Sequence, residues 1–429
     1  MKKLLLKRGR VIDPANKRDE VLDILVEGSR IVFLAQGIDL EDAEVYDCGG
    51  KIVTPGWIDM HVHLREPGYE RKETIKTGTR AAAAGGVTAV ACMPNTNPVA
   101  DNQSVISFIK EKADKEGLVR VFPIGAITKG LQGQEITEMG ELKEAGVVAF
   151  SDDGKPVSNG NVMRRALEYA GMFDLPLISH CEDLDLANEG MMHEGYVSTV
   201  LGFRGIPAVA EEAMVARDLL LAEMTGTPIH IAHVSTAGSV RLIREAKKRG
   251  LPVTAEVTPH HFTLNDEAVM NFDTSTKVNP PLRSEADRVS LLEALADGTI
   301  DVIATDHAPH TLEEKDVEFA YAPFGMIGLE TLIPLSIQGL IHGGILNWSE
   351  LIAKVTINPA RILGLPLGEL KVGGEADITV IDPEKTKRVD KEILYSLARN
   401  TPFHGWELRG WPVLTIVGGK VLMKDGRLV

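Results

Sequence analysis

The 429-residue sequence predicts an α/β fold in which a (β/α)₈ barrel of the TIM type carries a small β-sandwich built from both chain termini. Three observations lead there. A barrel of about 250 residues leaves well over a hundred for a second module. From about Pro55 short apolar runs alternate with amphipathic stretches, the pattern of repeated βα units and a parallel sheet. Before and after that region the texture is β-rich with turns and no long helical period.

Taken in order, the first stretch reads KLLLKRGRVID and then DILVEGSRIVFLA, with Glu27-Gly28-Ser29 as a hairpin connection between apolar runs. The barrel strands follow as GWIDMHVH, VTAVACMPN, VRVFPIGAI, VVAFSDDG, PLISHCED, PIHIAHVST, PVTAEVTPHH and DVIATDHAPH. Helical segments such as NVMRRALEYAGMF and SVRLIREAKKRG lie between them. After about Leu363 β texture returns in EADITVID, WPVLTIVGG and KVLMKDGRLV, where Asp425-Gly426 turns a last ribbon. Residues 1–54 and 365–429 are therefore expected to pair into one composite β domain, with the barrel over 55–364 as a continuous insertion.

Composition excludes several function classes. With 44% hydrophobic and 25% charged residues the chain is an ordinary globular protein, not a disordered one. Its formal charge of −15 argues against binding nucleic acid or anionic lipid. The start, MKKLLLKRGR, is too short in apolar residues for a signal core or membrane span, so a cytoplasmic protein is expected. Cys48, Cys92 and Cys181 lie far apart and form no disulfide framework.

Several predicted strands end in His, Asp, Asn or Glu, where a barrel of this type places its active face. His61 and His63 are two apart on the first barrel strand, so both imidazoles leave one face. A lone HxH is equally a pair of buried histidines. Asp153, His180, His233 and Asp306 stand at four further strand ends, and the barrel makes them converge. Imidazole and carboxylate ligands suit Zn²⁺, one ion at least and a second if all six residues share in it. Such an ion would acidify a water and polarise a carbonyl, and a carboxylate would carry the proton to the leaving nitrogen. Asp306 is the choice for that general acid/base, alongside a ligand role.

The motifs DMHVHLREPG, ACMPNTNP, SDDG, SHCE, ATDHAPH, APFG and GGEADITVID together resemble the amidohydrolase superfamily, and within it the longer bacterial dihydroorotases, over nearly the whole chain. The resemblance implies interconversion of N-carbamoyl-L-aspartate and L-dihydroorotate in pyrimidine synthesis. It implies His61 and His63 as first-metal ligands, Asp153 as ligand or bridge, and His180 and His233 as second-metal ligands. It makes Arg65 and Asn95, with His310 assisting, candidates for the substrate carboxylate, and Asn279 and Pro323-Phe324-Gly325 for the ring and its amides. A guanidinium two residues beyond His63 suits an anionic substrate. The bland readings are a loop arginine, turn asparagines and a capping histidine.

Many relatives bridge two metals with a carbamylated lysine. Here the run reads VVAFSDDGKP, with Lys155 already in a turn, so the ligand role falls to Asp153. Cys181 beside His180 reads as a small buried hydrophobe, with zinc ligation in a resting form as the sharper alternative. His230 reads as packing, and His260-His261 as groups that orient ligands. TLEEKDVEFAYAPFG is long for a βα loop and reads as a mobile element near the substrate. Two other readings stand beside the main one: a hydantoinase or allantoinase, and an inactive scaffold for aspartate transcarbamoylase. The resemblance also implies a homo-oligomer and, for some relatives, a complex with that enzyme.

Overall fold

The structure, a computed structural model, describes residues 3–429. All eight predicted runs are strands: Trp57–Val62, Val87–Cys92, Arg120–Pro123, Phe150–Ser151, Leu177–Ser179, Ile229–Ile231, Val253–Val257 and Val302–Ile303, here barrel strands one to eight. Every pairing among them is parallel. Hydrogen bonding divides them into sheets of three and five. Single bridges join the sheets, Gly125 to Phe150 on one side and Val62 to His307 on the other. The barrel thus has two thin seams, and the second lies beside His61 and His63.

Helices cover the strands because each has an apolar stripe and a fixed start. Ile75–Ala84, Gln103–Glu116, Gly160–Gly171, Ala237–Lys248 and Glu285–Ala296 begin after Thr74, Asn102, Asn159, Thr236 and Ser284, whose side chains accept from first-turn amides. Each cap contributes about 0.5–2 kcal/mol and decides where a strand-to-helix loop ends. The helices' buried faces meet apolar strand residues such as Val90, Phe150, Ile229 and Val257 in one large core.

The two termini form a continuous nine-stranded sheet. They meet where Ile52–Pro55 runs antiparallel to Ile378–Arg388, with Ile378 opposite Pro55. The core of this sandwich draws on both ends, Leu4, Ile24 and Val53 packing with Ile378, Val413 and Ile416. The expected hairpin turns are present, Glu27 pairing Arg30 and Lys424 pairing Arg427. Asp425 and Gly426 both hold positive φ, the conformation a two-residue turn between right-twisted strands requires.

Two features depart from simple βα alternation. Between strand five and the helix Ala208–Thr225 lies an excursion of two short helices and a two-stranded ribbon, Met192–His193 with Gly205–Ile206. Between the long strands Ile378–Arg388 and Glu407–Val417 the chain crosses to the barrel, where Tyr395 and Ser396 amides donate to Glu330 and the Leu397 amide and Ser396 hydroxyl donate to Glu73. Among the described residues no helix is long and apolar enough to cross a membrane. The three cysteines are free and buried.

Candidate active site and metal centre

The strand ends converge as the barrel requires. His61 is fully buried, with Nε2 lying 3.4 Å from Asp153 Oδ1 and 3.5 Å from Asp306 Oδ1. His63 Nε2 is 3.0 Å from Asp306 Oδ1 and 3.4 Å from Asp153 Oδ2. Asp153 Oδ1 also faces His180 Nδ1 at 3.6 Å and His233 Nε2 at 3.5 Å, so three imidazoles surround one carboxylate oxygen. Among the described residues two groups can hold a metal ion, His61 with Asp153 and His233, and His61 with His63 and Asp306. His180 lies outside both groups, yet its Nδ1 is 2.8 Å from His233 Nε2, at the same focus.

These residues fit a divalent cation. His61 Nε2, Asp153 Oδ1 and His233 Nδ1 are buried without a hydrogen-bond partner, a costly arrangement for polar atoms unless an ion or water completes it. The donors are nitrogen and oxygen, the set zinc accepts. Burial opposes charge on Asp153, but His61 and its neighbours outweigh it and hold the carboxyl well below its usual range. Asp306 is likewise lowered, against burial, by His61 and His63. Both aspartates therefore stand as carboxylates.

Three residues of the centre and its cavity share an unusual backbone conformation. Arg65, His233 and Asp306 all have positive φ, at 61°, 30° and 48°. Such conformations cost non-glycine residues about 1–3 kcal/mol and cluster at functional sites. Of the two aspartates in SDDG only one is free for the site. Asp152 accepts from the Ile127 and Thr128 amides and the Thr128 hydroxyl, which fixes the loop and leaves Asp153 to face the histidines. Lys155 is exposed.

A cavity of about 350 Å³ opens over this centre. Arg65, Asn95, Asn279, His310, Phe324 and Gly325 all line it, together with His63, Asp153, His180 and Asp306. Arg65 Nε donates to Pro309 O at 3.2 Å, and burial lowers its pKa from an arginine's usual value. His310 Nε2 donates to Phe324 O at 2.9 Å; burial first, then Arg65 and Lys72, push its pKa down to about 3, so the ring is neutral. Asn95 also touches the metal group, 2.8 Å from His63 Nδ1 through Oδ1. Gly325 has φ of 129°, and a Cβ there would lie 2.8 Å from Ala308 Cβ.

Other assignments change. His230 is more than packing: its Nε2 lies 3.1 Å from Glu256 Oε2, and Glu256 Oε1 is 2.5 Å from His61 Nδ1. His261 is engaged by Thr258 and Pro280 O, and no hydrogen bond joins His260 or His261 to a metal-site histidine. The carboxylates in contact with the histidines of the centre are Glu256 and Glu182, Glu182 Oε2 lying 3.3 Å from His180 Nε2 and accepting from Asn279 Nδ2 at 3.0 Å. Cys181 turns away from the metal group to Ser179 and Asp218, and burial followed by Asp218 raises its pKa well above a thiol's usual value. The segment 311–325 is tied down by two lysines: Lys277 donates to the Phe319 and Ala320 carbonyls, Lys315 to those of Thr274 and Pro323.

Comparison with known proteins agrees with this geometry. A dihydro-orotase-like family model matches residues 50–239, and an amidohydrolase family model matches 326–423. A dihydroorotase of Pelotomaculum thermopropionicum is 62% identical over 423 residues, 99% of each chain. One of Geobacter metallireducens is 57% identical over 98% of this chain and 99% of its own. Among solved structures, an L-hydantoinase (dihydropyrimidinase) from Arthrobacter aurescens superposes with a TM-score of 0.91 at 25% identity, over 100% of this chain and 98% of the other. A dihydropyrimidinase from Brevibacillus agri shares the fold, with a TM-score of 0.88 at 23% identity over 100% and 96%. Matched end to end at well over half identity, the chain belongs to the dihydroorotase family within the amidohydrolases.

Proposed function

We propose that this chain is a zinc-dependent dihydroorotase that interconverts N-carbamoyl-L-aspartate and L-dihydroorotate, a step of pyrimidine synthesis, as a cytoplasmic enzyme. The observation that carries the reading is the pairing of one buried His/Asp centre with a half-buried guanidinium, Arg65, in the wall of the same cavity. His61, His63 and Asp306 would hold one zinc, and Asp153, His180 and His233 a second. When bound, zinc supplies Lewis acidity that polarises a carbonyl and acidifies water.

The chain's own groups do the rest. Arg65 and Asn95 grip the substrate carboxylate, a forked guanidinium suiting a planar anion. Neutral His310 assists as a hydrogen-bonding group beside that cation without adding charge. Asn279, Phe324 and Gly325 bound the ring. Asp306, held as a carboxylate, takes a proton from the attacking water and delivers it to the amide nitrogen as the carbon–nitrogen bond breaks. In the reverse direction it removes the proton from the carbamoyl nitrogen as the ring closes. The division into a composite β domain, 1–54 with 365–429, and a barrel over 55–364 leaves all of these residues on the barrel.

The purified chain, with zinc counted, is to be assayed against dihydroorotate, hydantoin and allantoin, with and without aspartate transcarbamoylase. Turnover of dihydroorotate is expected, and Arg65→Ala should raise its KM with zinc retained. Turnover of hydantoin but not dihydroorotate overturns the reading, and loss of zinc from Arg65→Ala overturns the role given to that arginine.

A further inference from the structure

The crossover segment between the two long C-terminal strands supplies a residue that belongs to neither the metal centre nor the cavity lining. Asn400 is 3% exposed and uses its whole carboxamide on the backbone of the site. Its Nδ2 donates to the carbonyls of Ala308 and Gly325, both at 3.0 Å, and its Oδ1 accepts from the His310 amide at 3.2 Å. The Asn400 carbonyl accepts from the Ile327 amide at 3.0 Å. Ala308, His310 and Gly325 all line the cavity.

We propose that Asn400 is a positioning residue for the substrate pocket, holding the 308–310 and 325 backbones in the one register that presents Arg65, His310 and Gly325 together. The claim rests on the functional reading above. Two donors and one acceptor on one planar group are what the three backbone partners require, and a carboxylate or a hydrocarbon of the same shape offers fewer. The effect reaches Arg65 because its Nε donates to Pro309 O, inside the braced segment. The His310 ring is bound to the same unit through Phe324 O. The two backbones already lie close, the Ala308 amide donating to Met326 O at 2.8 Å, so there is little slack to absorb a lost brace. A small misplacement of binding groups is costly, up to about a hundredfold in rate for a shift of about 1 Å.

Asn400→Asp keeps the shape and the acceptor but sets a carboxylate against two carbonyls. Ser396→Ala is its control, in the same segment but bonded to Glu73 rather than to the cavity wall. For wild type and both variants, KM and kcat for dihydroorotate, zinc per chain and Tm are to be measured. We expect Asn400→Asp to raise KM by about tenfold or more with zinc per chain unchanged, and Ser396→Ala to lower Tm while leaving KM at its wild-type value. An unchanged KM in Asn400→Asp, or an equal rise in Ser396→Ala, overturns the proposal. Should the Asp variant not fold, Asn400→Ser, neutral and small enough to admit water, is read by the same criteria. Wild-type inactivity toward dihydroorotate overturns the functional reading and this assignment with it, whereas an active wild type with an unaffected variant overturns this assignment alone.

Discussion

Glu256 stands behind His61 and settles which ring nitrogen faces the centre. Its carboxylate receives His61 Nδ1 on one oxygen and His230 Nε2 on the other, and accepts from the His233 amide as well. An imidazole that donates through Nδ1 keeps its Nε2 lone pair for a metal, so the carboxylate fixes the tautomer as well as the orientation. Glu256→Gln preserves shape but presents an amide donor to one of two histidines that need an acceptor. Zinc affinity, measured by chelator competition, should fall by about 10–100-fold with the circular dichroism spectrum unchanged; unaltered affinity would leave Glu256 a fold residue only. The convergence of His61, His63, Asp153, His180, His233 and Asp306 was legible in the sequence because strand periodicity and the barrel's active face fix where they point. Glu256 was not, since it lies inside an apolar strand, AEV, and its meaning comes from His61, 195 residues away. Glu182 belongs to the SHCE run, but nothing local shows that its carboxylate turns back to His180.

At the scale of elements, the eight barrel runs and the two terminal β regions were readable from period and turn chemistry. The crossover segment was not, because its contacts are single long-range bonds with no repeating pattern. The same holds for the excursion after strand five, too short in each piece for a period. One tie of the segment to the barrel is Glu330, which accepts from the Tyr395 and Ser396 amides; burial, with a smaller effect from Glu73, pushes its pKa up to about 8. A carboxyl raised in the fold favours the protonated form there. Its contribution is therefore full below the unfolded value of about 4.3 and is lost as pH rises toward 8, at roughly 1.4 kcal/mol for each pH unit inside that window. Glu330→Gln, which keeps the acceptor without the charge, should unfold at higher temperature than wild type at pH 8.5 and close to wild type at about pH 4. A difference that does not grow with pH would mean that Glu330 is ionised in the fold.

Across the whole molecule, the metal residues straddle the barrel's thin seam. His61 and His63 belong to the three-stranded sheet, whereas Asp153, His180, His233 and Asp306 follow strands of the five-stranded one. Besides the Val62 to His307 bridge, with its His63 amide to His307 carbonyl bond of 2.9 Å, Asp59 crosses the same seam by accepting from the amide and hydroxyl of Thr305. An ion shared by ligands from both sheets would be a clamp placed where backbone pairing is sparse. Binding the folded state alone, it stabilises by about 2.7 kcal/mol when free metal is a hundredfold above Kd. That stabilisation should be local as well as global. Hydrogen exchange on the full chain, with and without zinc, should show the His63 amide slowing more than amides inside the five-stranded sheet such as that of Ala255. His61→Ala should abolish both the extra protection and the zinc-dependent rise in Tm. Equal slowing in both sheets would mean that the ion stabilises the barrel as one unit, and the seam would then be closed by Asp59 and the backbone bridge without it.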